Sequence, residues 1–136
     1  MKIDHLGLAV RSIEEALAFY RDALGLTLAR TEVIPSEGVR VAFLPAGGLR
    51  IELLEPTGPE SSVARFIEKR GEGIHHVCFA VRDVENAVAA LRDRGVEIIE
   101  PAIRLGAGGG KVAFVHPRSA HGVLVELREE GREPWP

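Results

Sequence analysis

Four side chains of this 136-residue sequence have the types and the placing to hold a metal ion: His5, Glu52, His76 and Glu126. His5 stands in IDHLGLAV and His76 in IHHVCFAV, while Glu52 stands in GLRIELLEP and Glu126 in GVLVELREE. Imidazole nitrogens and carboxylate oxygens together suit borderline or harder divalent cations, among them zinc, cobalt, manganese, iron and nickel. Four protein ligands leave open positions on a five- or six-coordinate ion, which a catalytic site needs. A cation also explains why two acids would face the interior of a small fold, where their charges would otherwise repel and their burial would be costly. A single strand histidine is usually structural; the case here rests on His plus Glu recurring at matching positions.

The recurrence defines the elements that must position these residues. Ile3–Asp22 laid over Ile74–Asp93 gives ten identities in twenty positions without a gap. Each copy opens with a β-rich run that contains its histidine. A capped helix follows: Ser12 and Glu15 form a capping box in the first copy, and Asp83 caps the second. Apolar residues at helical spacing (Ile13, Ala16, Leu17, Tyr20, Leu24; then Val84, Ala87, Val88, Leu91) give each helix a buried stripe, and Gly25 and Gly95 stop it. Three β-rich segments complete each copy, at about 26–34, 38–45 and 48–55, then 95–103, 110–116 and 122–129. The fold class is therefore α+β, with two tandem βαβββ modules. Module one spans about 2–55, a linker with a short helix over Ser61–Arg70 spans 56–73, and module two spans about 74–129. All of 1–130 is expected as one domain, with 131–136 as a tail. If the strands of the two copies curve together, all four candidate ligands can point at one centre.

Composition excludes several classes. No apolar run approaches the roughly 20 residues of a membrane span, and MKIDHLGLAV enters patterned sequence without the basic and apolar segments of a leader. A formal net charge of −3 offers nothing to nucleic acid. One cysteine, Cys78, rules out an internal disulfide and suits a cytoplasmic location. Other polar residues are weaker candidates, and His75 has Asp4 as its counterpart. His75 alternates to the opposite strand face from His76, and His121 is expected exposed. Lys111, His116 and Arg118 flank a strand beside the glycine-rich stretch LGAGGGK. That stretch sits between two β-rich runs, so it is no dinucleotide or P-loop fingerprint.

The duplicated unit, the paired ligands and the closing run GAGGGKVAFVHPRSAHGVLVEL resemble the vicinal oxygen chelate superfamily and, within it, the methylmalonyl-CoA epimerases. The resemblance spans nearly the whole chain. It implies a curved eight-stranded mixed sheet with helices outside, a homodimer, and one divalent ion, cobalt or manganese in preference to zinc or nickel. It assigns His5, Glu52, His76 and Glu126 as ligands, with an amide tolerated at position 52. The implied reaction interconverts (R)- and (S)-methylmalonyl-CoA by removing and returning the α-proton, with Glu126 as one proton-transfer group. Lys111, His116 and Arg118 are then expected against the CoA thioester substrate, on charge and position. Some members carry a second glutamate in the third strand of the first copy, where this sequence has Val41. Glu37 lies nearby, and another group or a bound water could serve instead. A glyoxalase I-type isomerase and a metal-free binding protein of the same scaffold are the competing readings.

Overall fold

The structure is a computed structural model and describes residues 1–131; the expected tail at 131–136 lies, apart from its first residue, outside the described residues. In chain order the elements are strand β1 (Lys2–Ala9), helix α1 (Ile13–Leu17), strands β2 (Arg30–Ile34), β3 (Val39–Ala46) and β4 (Leu49–Pro56), helix α2 (Ser62–Arg70), strand β5 (Gly73–Val81), helix α3 (Val84–Asp93), and strands β6 (Arg104–Leu105), β7 (Lys111–Val115) and β8 (Val125–Glu129). Hydrogen bonds order the strands β2-β3-β4-β1-β5-β8-β7-β6 in one eight-stranded sheet. It is mixed: β1/β4 and β5/β8 pair parallel, whereas β2/β3, β3/β4, β6/β7 and β7/β8 pair antiparallel. The α+β, twice-βαβββ architecture expected from the repeat is the one observed.

The described residues divide into two compact units, His5–His75, and Met1–Asp4 together with those from His76 onward. In the first, alternation sends Leu8, Val10, Ala42, Leu44 and Leu53 to one sheet face, where they pack with Ile13 and Leu17 of α1. Each buried leucine, valine or isoleucine among them contributes about 1.5–3 kcal/mol. The residues between them, Gly7, Val41, Phe43 and Glu52, therefore point to the other face. The second unit repeats the arrangement with Val84 and Val88 of α3 against Ile98, Ala113 and Val115.

Two elements differ from their sequence expectation. The first helix does not run as α-helix to Gly25. After Leu17 it widens into π-turns over Ala18–Ala23, where the Leu24 N–H reaches the Phe19 carbonyl at 2.7 Å, before Gly25 takes φ +93°. The expected strand at 95–103 is largely irregular: Ile98 forms a single bridge to Val115, and the ladder proper begins at Arg104. Pro101 interrupts it, having no N–H to donate.

Candidate metal and active site

The repeated His and Glu appear as two half-sites, one in each unit. In the unit His5–His75, β1 and β4 set His5 opposite Arg50 and Gly7 opposite Glu52, so His5, Arg50 and Glu52 share a face. His5 is 2 % exposed and Glu52 3 %. His5 Nδ1 lies 3.1 Å from Glu52 Oε2. Arg50 Nη2 donates to the same carboxylate oxygen at 2.9 Å and passes 3.4 Å from His5 Nδ1. On the next strand Phe43, fully buried, stands opposite Glu52 and walls the carboxylate on that side. The Arg30 guanidinium lies 4.2 Å above the Phe43 ring and donates to Glu32 at 2.7 Å.

The second unit builds the equivalent half-site. Register places Cys78 opposite Glu126, and His76, two residues before Cys78, projects from the same face. His76 Nε2 lies 3.0 Å from Glu126 Oε1, and both residues are buried. Phe114 stands opposite Glu126 and meets the His76 ring edge-on, 6.3 Å between centroids. Thus each unit sets a buried imidazole against a buried carboxylate, backed by a phenylalanine on the neighbouring strand. In the first half Arg50 donates to the carboxylate, and the counterpart position in the second, 124, is leucine. Arg128, also buried, lies two residues beyond Glu126, and a Cβ at Gly110 would stand 3.3 Å from its Nη2. The glycine there makes room for the guanidinium.

The remaining candidates are placed as follows. Lys111 opens β7 with Nζ 2.7 Å from Glu85 Oε1, and that hydrogen bond raises the ammonium above its ordinary pKa. Arg118 grips Glu97 through Nε and Nη2, at 3.2 and 3.0 Å, and holds its carboxyl below the ordinary range. His116 Nδ1 accepts the Arg118 N–H at 3.0 Å and caps the turn over Pro117–Ser119. His75 faces away from the half-site, its ring against Phe66 at 5.1 Å, and His121 is exposed with φ +56°. Val41 is 1 % exposed in β3, paired with Leu54 on one side and Glu32 on the other. Glu37 belongs to a turn over Pro35–Glu37 ahead of that strand.

The profile of the glyoxalase/bleomycin resistance protein/dioxygenase superfamily matches residues 4–114. The ethylmalonyl-CoA/methylmalonyl-CoA epimerase of Cereibacter sphaeroides is 38 % identical over 94 % of this chain and 97 % of its own length. The chain belongs to the methylmalonyl-CoA epimerase family of that superfamily. Family members of known structure superpose closely: a variant of the Streptomyces coelicolor methylmalonyl-CoA epimerase, solved with 2-nitronate-propionyl-CoA, gives a TM-score of 0.92 at 37 % identity, covering 100 % of this chain and 99 % of the other. A hypothetical protein from Bacillus halodurans gives 0.94 at 47 % identity, covering 99 % and 98 %.

Sequence reasoning missed the arginines. Arg50 had a readable signal, since i and i+2 on a strand share a face and Arg50 therefore accompanies Glu52. Arg30 and Glu32 become visible only when register is known.

Proposed function

We propose that the protein is a metal-dependent epimerase that interconverts (R)- and (S)-methylmalonyl-CoA. One divalent ion, cobalt or manganese in preference to zinc or nickel, would be held by His5, Glu52, His76 and Glu126. The observation that carries the proposal is a buried imidazole–carboxylate pair at 3.0–3.1 Å, repeated in both units of a chain of this family. The donor set fits such an ion: two nitrogens and two carboxylates, withdrawn from water, neutralise its charge and leave it room for a substrate. The ion, when bound, supplies Lewis acidity that lowers the cost of negative charge on the substrate's oxygens.

The chain's own groups do the rest. The α-proton of a methylmalonyl thioester lies between two carbonyl-type carbons, so its removal leaves an enolate. Glu126 is the base we assign on one side of that carbon, and epimerisation needs a second proton-transfer group on the other. Phe43 and Phe114 keep water from the flanks of Glu52 and Glu126. Lys111, His116 and Arg118 are assigned to the CoA portion. Lys111 and Arg118 already hold Glu85 and Glu97, so a phosphate would bind by exchanging one anion for another. A cytoplasmic homodimer completes the proposal.

The test is proton exchange. Metal-loaded protein is incubated with (S)-methylmalonyl-CoA in deuterium oxide, and deuterium entry and (R)-isomer formation are followed together. Exchange with epimerisation, abolished by chelation and by His76→Ala, is the expected result. No exchange with cobalt, manganese, zinc or nickel overturns the proposal.

A further inference from the structure

Inversion at carbon needs two proton-transfer groups, and the epimerase reading above, on which this inference rests, names one. The first unit offers a candidate for the other. The strand ladder sets Arg30 opposite Phe43 opposite Glu52 in one row, and Glu32 opposite Val41 opposite Leu54 in the next. All six share the face that carries His5 and Glu52. Burial along β2 agrees, because Arg30, Glu32 and Ile34 are partly buried while Thr31 and Val33 between them are exposed. Val41 is buried and has no proton to give. Its neighbour Glu32 does, one strand further out.

We propose that Glu32 is the second catalytic acid–base of the epimerase and that Arg30 is its positioning residue. Arg30 donates to Glu32 Oε1 at 2.7 Å while its guanidinium stacks on Phe43, so the carboxylate is tied to the ring that backs Glu52. Glu32 and Glu52 stand two strands apart on that face, about 10 Å between strand axes, with Val41 and Phe43 on the strand between them. The Glu32 side chain is 30 % exposed, so its proton can equilibrate with solvent between turnovers. Glu37, the acid closest in sequence to Val41 on that side, lies outside the ladder in the preceding turn.

The proton balance is simple. In one direction the Glu126 carboxylate takes the α-proton, the C–H electron pair enters the enolate, and protonated Glu32 delivers its proton to the opposite face. The new C–H bond inverts the centre, leaving Glu126 protonated and Glu32 ionised until solvent restores both. In the other direction the two acids exchange roles.

Glu32→Gln separates these steps. In deuterium oxide the variant is expected to exchange the α-proton of one epimer at close to the wild-type rate. It should fail to exchange the other, and epimerisation should fall by about a hundredfold or more. Calorimetric affinity for methylmalonyl-CoA should be unchanged, and Glu32→Asp should recover part of the turnover. Epimerisation by Glu32→Gln at the wild-type rate overturns the assignment, as does equal loss of exchange from both epimers. Absence of exchange in the wild-type protein would instead overturn the epimerase reading, and this assignment with it.

Discussion

Arg50 holds an oxygen of Glu52, one of the residues proposed to hold the ion. Its Nη2 lies 2.9 Å from Glu52 Oε2, the same atom that His5 approaches at 3.1 Å, and all three side chains are buried. A buried carboxylate requires such a partner when no cation is bound. An ion held through that oxygen would loosen or redirect this contact, so part of its binding free energy would be spent displacing a guanidinium. Arg50→Met should therefore bind the metal about tenfold more tightly, a change of about 1.4 kcal/mol. The metal-free variant should lose about 1.5–3 kcal/mol of stability with the charged hydrogen bond. Titration with a chelator-buffered metal and urea unfolding of the metal-free protein read the two effects separately; an unchanged metal affinity would show that Arg50 does not compete. At this scale the sequence was readable only where it repeats itself. His5, Glu52, His76 and Glu126 stand out because each has a counterpart. Arg50 has leucine for a counterpart, and Glu32 matters through a cross-strand neighbour that no spacing rule identifies.

At the scale of elements, each module's last strand does two jobs with two glutamates three residues apart. An odd spacing sends them to opposite faces. Glu52 and Glu126 face the half-sites, while Glu55 and Glu129 face the helices. There Glu55 Oε1 accepts the first free N–H of α1, from Ile13, at 2.7 Å. Glu129 Oε1 accepts the corresponding N–H of α3, from Val84, at 3.1 Å. The positive end of each helix is thus held by an acid from the strand that also presents the proposed ligand. Glu55→Ala should cost about 1–2 kcal/mol, comparable to loss of a helix cap. It should lower the urea midpoint and leave metal stoichiometry intact; a loss of bound metal would mean that the helix contact sets the position of Glu52. The capping residues Ser12 and Asp83 were legible because capping is local. The glutamates were not, because their targets lie 42 and 45 residues away in sequence. The π-turns after Leu17 and the irregular stretch before Arg104 escaped for a related reason. Apolar periodicity reports which face is buried, not how tightly the backbone winds.

At the scale of the whole molecule, no helix among the described residues is long and apolar enough to cross a membrane. Large apolar side chains nonetheless reach solvent: Phe19 is 56 % exposed and Ile74 60 %, and both line a groove with Leu8, Ala16 and Tyr20. A patch of this kind suits a second copy of the chain, so light scattering should give twice the chain mass and Phe19→Glu should halve it. An unchanged dimer in that variant would place the interface elsewhere. Cys78 has a different consequence. It is the sole thiol of the sequence, wholly screened from solvent, and sits in register with Glu126. A thiol reagent can reach it only when the strands around Glu126 part, so the rate of its modification is a clock for that opening. Run with and without metal, the clock would convert the proposed ligation at His76 and Glu126 into a free energy of local closure, with no substrate needed.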